Sequence, residues 1–324
     1  MFGLYLIFIS ILFTQIFFMQ RPLISVLLCT YNGASFLEEQ IESILSQTYP
    51  IIEIIISDDA STDGTINIIK KYSTNSIIII NINQENIGLQ KNIEVAAGLS
   101  KGNYIAFSDQ DDIWLPDKLE KLHAAIGNHS LVYSDSKLVD EYGNDLHKSL
   151  SDFRNLQNIY SSKGWGIYNA VSGHTMLAAK ELLQYALPIP AGYYHDWWIA
   201  VQASNLNGIK FLNEKLTLYR QHGKNLTENI IQKELGSRTY SKRYQQYVKD
   251  LKWIELLKNN PLEKEKSFYT DFYMLYLLKS KGHFVWPLFW FLTRNQNTIF
   301  LFSKKNYLSQ LFEIRKRARG EKEI

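Results

Sequence analysis

Cysteine is almost missing from this chain, since Cys29 is the only one among 324 residues. No disulfide can therefore form within the chain, and this cysteine usage is compatible with a reducing compartment. Internal repeats and low-complexity tracts are missing as well. Hydrophobic residues make up 46% and charged residues 21% of the chain. This composition excludes an intrinsically disordered protein and is sufficient for one substantial core, with or without an appendage.

A strong excess of one charge sign is also missing, because the formal net charge is only +3. A charge this small does not indicate a nucleic-acid-binding protein. The basic residues are concentrated near the C-terminus, where residues 303–324 contain seven Lys or Arg against three Glu. Such a tail either rests on anionic lipid headgroups or is a solvated, frayed terminus, and the sequence leaves both open.

Charge is entirely absent from residues 1–19, which are almost wholly apolar. At about 1.5 Å per residue, this segment is just long enough to span a bilayer as a helix. It lacks a basic start and a small-residue cleavage site, so it fits a signal anchor better than a cleaved signal peptide. If this segment inserts, Arg21 and the Lys-rich remainder favour keeping the rest of the chain on the cytoplasmic side of the inner membrane. Alternatively, Met19 is the true start and the protein is cytoplasmic.

The first half of the chain alternates short apolar runs with amphipathic stretches. We predict strands at 23–29, 51–57, 77–83, 104–108 and 131–135, and helices between them. Ser35 and Glu38 have the spacing of a capping box, which predicts that a helix opens there. This alternation is typical of right-handed βαβ units. The expected fold class is therefore α/β, with a mostly parallel sheet sandwiched by helices.

Both Gly-rich phosphate-binding loops of α/β proteins are absent, and polar clusters follow the predicted strands instead. They are TYN at 30–32, SDD at 57–59 and SDQDD at 108–112. Ligands bind at the carboxyl ends of such strands, so we expect the three clusters to converge on one edge. Asp109, Asp111 and Asp112 are suited to hold Mg²⁺ or Mn²⁺ beside a diphosphate. Taken alone, this motif also fits a solvated acidic turn before a helix at Pro116.

The pattern is weaker after Asp135. We predict a strand leading into a helix at 168–180, a helix at 195–203, and a hairpin or paired strands at 209–222. Residues 232–281 have helical spacing, and the apolar runs 284–292 and 298–302 are too short to span a bilayer. Those runs form an interfacial anchor or the inside of a helical appendage, and we favour membrane-surface contact. The expected organisation is a segment 1–20, a main domain 21–225 and an appendage 226–324.

The order TYN, SDDASTDGT, NIGLQKN and SDQDDIWLPDKL resembles glycosyltransferase family 2, whose members have the GT-A fold. The resemblance covers roughly residues 22–222. The later SGHTM, HDWW and YRQH elements are similar to the rhamnosyltransferase-like branch of that family. The resemblance to family 2 implies an inverting, metal-dependent transfer of a sugar from a nucleoside diphosphate to an acceptor hydroxyl.

The resemblance also assigns roles to residues at the strand ends. Thr30 and Tyr31 would bind the nucleotide, with Tyr31 stacked on a pyrimidine base. Asp59 would accept the N3–H of uracil or thymine. Asp111 would be the principal metal ligand, and Asp109 would lie near ribose, phosphate or metal-bound water. Many relatives have Pro-Thr where this chain has Cys29-Thr30, which blurs the assignment of the base contact.

Downstream elements receive roles in the same way. His222 is similar to a further metal ligand, and Asp196 to the general base. Gly173 would let the backbone approach the donor sugar, and His174 would reach sugar or phosphate. Without the resemblance, Asp196 also fits an acid at a helix N-terminus that the helix dipole stabilises. In the same way, His222 also fits an ordinary packed side chain.

The predicted partners are a nucleoside-diphosphate sugar, a saccharide acceptor and a membrane surface, with no nucleic acid. The donor is a dTDP- or UDP-sugar, with dTDP-L-rhamnose suggested by the branch alone. The acceptor is a lipid-linked oligosaccharide of surface polysaccharide synthesis, such as O-antigen or capsule. The Q-x-x-R-W motif of processive synthases is absent, so we expect addition of one sugar. Two alternatives are a nucleotidyltransferase, which usually needs a Gly-rich basic loop after the first strand, and a non-catalytic sugar-binding membrane scaffold.

Overall fold

A computed structural model of the chain describes residues 21–223 and 240–321. The apolar segment 1–20, the expected boundary at 225/226 and the last three residues lie outside the described residues. No helix within the described part of the chain is long and apolar enough to cross a membrane.

One sheet of nine strands forms the centre of the described structure, in the order β3-β2-β1-β4-β8-β6-β9-β5, with β7 paired to β6. The strands are β1 (Ile24–Thr30), β2 (Ile52–Asp58), β3 (Ile78–Ile82), β4 (Tyr104–Ser108), β5 (Ile113–Trp114), β6 (Leu131–Val139), β7 (Asp145–Ser149), β8 (Met176–Ala179) and β9 (Ile209–Arg220).

Helices cover the sheet and continue after it. They are α1 (Leu37–Leu45), α2 (Thr65–Lys71), α3 (Leu89–Leu99), α4 (Lys118–Ile126), α5 (Leu150–Phe153), α6 (Leu183–Ala186), α7 (His195–Asn205), α8 (Tyr240–Asn259), α9 (Lys266–Leu277), α10 (Trp286–Arg294), α11 (Gln296–Ile299) and α12 (Tyr307–Arg317).

The first four strands are parallel and buried as their continuous apolar runs predict. β1 pairs with β2 and β4, and β2 pairs with β3, all in parallel. Successive side chains of β1 point to opposite faces, so Val26 and Leu28 join one hydrophobic core while Leu27 and Cys29 join the other. Two cores on the two faces of one sheet confirm the α/β class and the expected sheet sandwiched by helices.

Beyond β4 the sheet is mixed. β8 is antiparallel to β4 and to β6, whereas β6 and β9 are parallel. The hairpin expected at 209–222 is wrong, since these residues form the single strand β9, whose partners β5 and β6 come from elsewhere in the chain. Asn213 and Glu214 lie at a shift in the β6–β9 register rather than in a turn.

The capping box expected at Ser35 and Glu38 is also wrong. The helix α1 begins at Leu37, and the residue before it, Phe36, makes no side-chain capping hydrogen bond. The carbonyl of Gly33 accepts the N–H groups of Phe36 and Leu37, so the preceding turn satisfies the start of the helix. Glu38 instead pairs with Lys71 of α2 at 2.8 Å.

The C-terminal helices share a core with the sheet. Trp253 of α8, Phe272 of α9 and Leu288 of α10 belong to the same buried cluster as Trp165 and Ile199. The backbone carbonyl of Trp165 accepts the indole N–H of Trp197, at 3.1 Å, and of Trp253, at 2.8 Å. The helices after residue 240 are therefore packed directly against α7, the helix that carries Asp196.

Candidate active site

The three polar clusters meet at one edge of the sheet, as their positions after the strands predict. Thr30 at the end of β1 is in register with Asp58 at the end of β2, and Leu28 is in register with Ser108 at the end of β4. The loops that follow these strands carry Tyr31, Asp59 and residues 109–112. This edge is the candidate active site.

Asp58 has a structural role within this edge. The residue is fully buried, and its carboxylate accepts hydrogen bonds from the hydroxyl of Thr30, at 2.7 Å, and from the backbone and hydroxyl of Ser61. These bonds fix the loop between β2 and α2. Because the hydroxyl of Thr30 donates its hydrogen bond to Asp58, Thr30 contributes to the site by holding this loop in place.

Asp59 organises the segment that opens α3. It is buried and accepts hydrogen bonds from the side-chain amide of Asn83, the N–H of Ile87 and the N–H of Gly88. Oδ1 receives two of these bonds and Oδ2 receives one, so Oδ2 keeps one acceptor position. The NIGLQKN segment is thus held in place by the residue predicted to contact the base.

Tyr31 is 47% exposed, and its backbone is held by Gln110. The N–H of Tyr31 donates to Oε1 of Gln110 at 2.8 Å, and Nε2 of Gln110 donates to the carbonyl of Tyr31 at 3.1 Å. A Cβ on Gly33 would lie 2.3 Å from Oε1, so the glycine makes room for this amide. Sequence reasoning missed Gln110, because the spacing of the neighbouring acids carries no signal for it.

Asp111 and His222 come together although 111 residues separate them. Nε2 of His222 lies 2.9 Å from Oδ2 of Asp111, and the imidazole also contacts the ring of Phe36. Neighbouring ligands of an octahedral ion with bonds of about 2.1 Å are about 3 Å apart, so the pair fits two positions around Mg²⁺ or Mn²⁺.

A second group of potential ligands combines two residues of the same loop with His174, which lies in the turn before β8. Nδ1 of His174 is 3.5 Å from Oδ2 of Asp109 and 3.7 Å from Oδ2 of Asp112. One ligand atom from each of the three residues lies within 4.8 Å of the other two. Oδ2 of Asp112 is buried without a hydrogen-bond partner, and a buried orphan oxygen of this kind suits a cation. The structure therefore offers two ligand sets. The sequence had indicated Asp109 and Asp112 as possible ligands beside Asp111, but it had given His174 no role in metal binding.

The acids in this second group have shifted pKa values in opposite directions. Burial raises the pKa of Asp112 well above its ordinary value, and the negative charges of Asp111 and Asp109 raise it further. Burial also acts to raise the pKa of Asp109, but the hydrogen bond and positive charge of His174 outweigh it and the net shift is downward. Asp109 is the accessible member, with a side chain 44% exposed.

Two basic residues that the sequence analysis passed over support the elements around the acidic loop. The N–H of Arg220 donates to Oδ1 of Asp112 at 3.1 Å, and its Nε donates to the carbonyl of Asp111 at 2.9 Å. Lys118 is fully buried and donates from Nζ to the carbonyl of His174 and to the hydroxyl of Thr217. Arg220 therefore links the acidic loop to the end of β9, and Lys118 links α4 to β9 and to the turn before β8.

Asp196 lies in the first turn of α7, where its Oδ1 accepts the N–H of Trp197 at 2.6 Å. Burial raises the pKa of Asp196, the positive charges of His195 and Arg154 oppose that rise, and the negative charge of Asp109 adds to it. The ring of His195, the residue before Asp196, contacts the ring of Phe107 in β4, so the start of α7 lies beside the strand that leads into the acidic loop. The indoles of Trp197 and Trp198 donate into the core, to Trp165 and Ala186.

Gly173 makes room for an imidazole. A Cβ at this position would lie 2.5 Å from Nε2 of His195, so the residue before Asp196 packs against the bare backbone. Nδ1 of His195 is buried without a hydrogen-bond partner. His174, the next residue, is buried and stacks on Tyr219 while its Nε2 lies 3.0 Å from the hydroxyl of Ser136. The approach of a donor sugar to Gly173 and His174 stays a prediction.

An α/β sheet of this topology, with carboxylates and histidines gathered at its carboxyl edge, defines a glycosyltransferase of the GT-A type that uses a nucleotide-sugar donor. The family described as Glycosyl transferase family 2 matches residues 25–183. The chain belongs to glycosyltransferase family 2, which confirms the resemblance read from its motifs.

Curated relatives and solved structures agree with this membership. The dTDP-rhamnosyl transferase RfbG of Shigella flexneri is 30% identical over 231 residues, covering 64% of this chain and 78% of the relative. A putative teichuronic acid biosynthesis glycosyltransferase of Bacillus subtilis, TuaG, is 40% identical over 115 residues, covering 35% of this chain and 46% of that protein.

Two solved structures share the fold at low sequence identity. The structure of S. aureus TarS residues 1–349 with UDP-GlcNAc has a TM-score of 0.56 at 19% identity, over 91% of this chain and 81% of the other. The mannosyltransferase PcManGT of Pyrobaculum calidifontis, in complex with GDP-Man and Mn²⁺, has a TM-score of 0.52 at 17% identity, over 92% and 86%.

Proposed function

We propose that this glycosyltransferase moves a single sugar, with inversion and with a divalent cation bound, from a dTDP- or UDP-sugar to an acceptor hydroxyl. The observation that carries the proposal is the convergence of Asp59, Asp111 and His222 at the carboxyl edge of the sheet, with the start of α7 beside β4. In the proposal, Asp59 supplies the base contact, Asp111 a metal ligand and Asp196 the proton acceptor.

Asp59 selects the base in this proposal. Its Oδ2 keeps one acceptor position after the bond from Gly88, and the N3–H of uracil or thymine is the donor that fits it. The exposed ring of Tyr31 offers a stacking face beside it. Guanine and cytosine present other patterns of donors and acceptors and are the weaker fit.

Asp111 and His222 would hold the cation, with Asp109 available to phosphate, ribose or a metal-bound water. A bound Mg²⁺ or Mn²⁺ neutralises the diphosphate as it leaves and stabilises the charge that develops there. The alternative ligand set, which is Asp109, Asp112 and His174, has more members, but Asp112 and His174 are deeply buried. Arg220 holds both sets in a fixed relation through its bonds to Asp111 and Asp112.

Asp196 would accept the proton of the acceptor hydroxyl as that oxygen attacks the anomeric carbon opposite the leaving group. A raised pKa makes a carboxylate a stronger base, and burial provides that shift here. Because the attack comes from the face opposite the diphosphate, the anomeric configuration inverts.

The finer substrate assignment is a dTDP-L-rhamnose donor and a lipid-linked oligosaccharide acceptor of O-antigen or capsule synthesis, at the cytoplasmic side of the inner membrane. Its support is the similarity to a dTDP-rhamnosyl transferase over most of that relative's length. The similarity to a putative teichuronic acid enzyme supports a surface polymer more generally.

The test is a thermal-shift panel of UDP, dTDP, GDP and CMP, each with and without Mn²⁺. A ligand that binds only the folded chain raises its melting temperature. We expect UDP or dTDP to stabilise the chain only when Mn²⁺ is present, and dTDP-L-rhamnose to be consumed when a matching acceptor is added. A preference for GDP or CMP would overturn the assignment of Asp59.

A further inference from the structure

Helices α10 and α12 expose large apolar side chains instead of burying them. Seven large hydrophobic residues of the described chain are 60% exposed or more, and five of them lie on or beside these two helices. The five are Trp286, Trp290, Tyr307, Leu308 and Phe312. Clustering of this kind marks an interaction surface, whereas single exposed hydrophobic residues are ordinary.

The exposed side chains follow the helical repeat, so they form continuous faces. In α10, Trp286 and Trp290 are four residues apart and exposed, while Leu288 and Leu292 are fully buried. The two helices are neighbours, because the N–H of Val285 donates to the carbonyl of Ala318 at 2.8 Å. They form one outer layer over the core.

The exposed face of α12 changes from apolar to basic along its length. Leu308 and Phe312 are followed on the same stripe by Arg315 and Arg319, with Lys316 beside them, and all are exposed. The opposite side of the helix buries Ile314 and Ala318.

Acidic side chains are almost missing from this part of the chain. Glu313 is the sole acid within residues 284–319. It is engaged by Lys305 and Arg317 and by the hydroxyl of Tyr168. The exposed basic residues nearby, which are Lys304, Arg315, Lys316 and Arg319, therefore outnumber the acids on the same face. Tryptophans beside unbalanced basic residues are the pattern of a surface at the headgroup level of an anionic bilayer.

We propose that the outer faces of α10 and α12 form a docking surface for an anionic phospholipid bilayer. Trp286, Trp290, Leu308 and Phe312 enter the boundary between headgroups and acyl chains, and Arg315, Lys316 and Arg319 contact the phosphates. A second copy of the chain is a poorer occupant, because a symmetric contact would place these basic residues against each other. The inference does not depend on sugar transfer, since binding is measured with no donor or acceptor present.

The first experiment locates the contact in the full chain. Cys29 is buried, so Phe312→Cys introduces one accessible thiol for an environment-sensitive fluorophore. Tyr142→Cys, at a position 81% exposed and remote in sequence, is the matched control. We expect phosphatidylcholine vesicles containing phosphatidylglycerol to shift the emission at 312 to the blue and raise it several-fold, with no change at 142. An unchanged signal at 312 overturns the proposal, whether or not the protein sediments with the vesicles.

The second experiment tests the charges. We expect the double variant Arg315→Gln/Lys316→Gln to lower the partition coefficient on anionic vesicles by about tenfold. Lys70→Gln/Lys148→Gln removes two exposed charges elsewhere and is the control, with no expected change. Equal losses in the two double variants would mean that net charge alone drives binding and would contradict the assigned surface. A blue shift at 312 that needs no lipid and grows with protein concentration would assign the face to self-association instead.

Discussion

The side-chain amide of Gln110 exchanges two hydrogen bonds with the backbone of Tyr31, one through Oε1 and one through Nε2. Gln110 lies between Asp109 and Asp111, so the loop with the proposed metal ligands is joined to the loop with the proposed base contact. A movement of either loop is then transmitted to the other, because the amide can satisfy both bonds in one arrangement only.

Replacing Gln110 with Met removes both hydrogen bonds while keeping the length of the side chain. Each bond contributes about 1 kcal/mol net, so the KM for the nucleotide sugar should rise roughly tenfold, with a smaller fall in kcat. Steady-state kinetics and calorimetric titration of the nucleotide measure the effect. Gln84→Met is the control, because Gln84 is exposed in the loop between β3 and α3. Unchanged nucleotide affinity in Gln110→Met would show that the two loops are positioned independently.

The two candidate ligand sets predict different variant behaviour. If Asp111 and His222 bind the cation, Asp111→Asn and His222→Ala should each weaken Mn²⁺ binding at least tenfold and remove the Mn²⁺-dependent nucleotide shift. His174→Ala should then leave Mn²⁺ affinity within about twofold, since its imidazole would only pack and bond to Ser136. Electron paramagnetic resonance of free Mn²⁺ measures these affinities. The reverse ranking would assign the cation to Asp109, Asp112 and His174.

Asp196→Asn should abolish transfer and spare binding of the donor, because the amide keeps the shape but accepts no proton. We expect kcat to fall by a factor on the order of 10³ with the dissociation constant of the nucleotide unchanged. Loss of folding or of nucleotide binding in parallel would make the residue structural. Glu181→Gln serves as the control, because this exposed residue follows Ala179, which pairs with Tyr104 at the amino end of β4.

The pH profile gives a separate test of Asp196. Its pKa is raised, and a base acts only when ionised, so kcat/KM should fall as pH drops through that raised value. Arg154 opposes the rise, so removing its charge by Arg154→Gln should move the acidic limb to higher pH. A limb that moves to lower pH, or does not move, would exclude Asp196 as the group that sets it.

Glu313 should stabilise the fold in a pH-dependent way. Burial acts to raise its pKa, but the charges of Arg317 and Lys305 and the hydroxyl of Tyr168 outweigh it and lower the pKa to about 2. A carboxyl with a depressed folded pKa stabilises above its unfolded value of about 4.3, and this contribution is lost as pH falls towards 2. Glu313→Gln should therefore lower the free energy of unfolding by about 2 kcal/mol at neutral pH and by much less near pH 3. Denaturant unfolding measures this, with Glu85→Gln as the control, and an equal loss at both pH values would contradict it.

The sequence predicts the first half of the fold well, because local signals decide it. The run 23–29 is almost wholly apolar, which is typical of a strand that is buried on both faces. The strand β1 is indeed buried at every residue. Convergence of Thr30, Asp58 and Ser108 on one edge follows from parallel pairing alone. The second half is decided by long-range pairing, and no local pattern reveals that β9 pairs with β5 and β6 rather than with itself.

The site residues divide in the same way. Asp111 and His222 are brought together by the path of β9, and only the resemblance to a family made that pair predictable. Gln110, Arg220 and Lys118 act through hydrogen bonds to backbone groups, whose positions the residue types do not encode. Their roles become visible only when the geometry of the acidic loop is known.

The backbone carbonyl of Trp165, which accepts two indole N–H groups, makes the sheet domain and the C-terminal helices depend on each other. One of its lone pairs is committed to the indole beside Asp196 and the other to the first C-terminal helix, so neither half is complete alone. A gene product that stopped before residue 240 would leave this acceptor half vacant and a tryptophan-lined hollow open to water. C-terminal helices exchanged from a relative would therefore need a donor at the position of Trp253 to complete this acceptor.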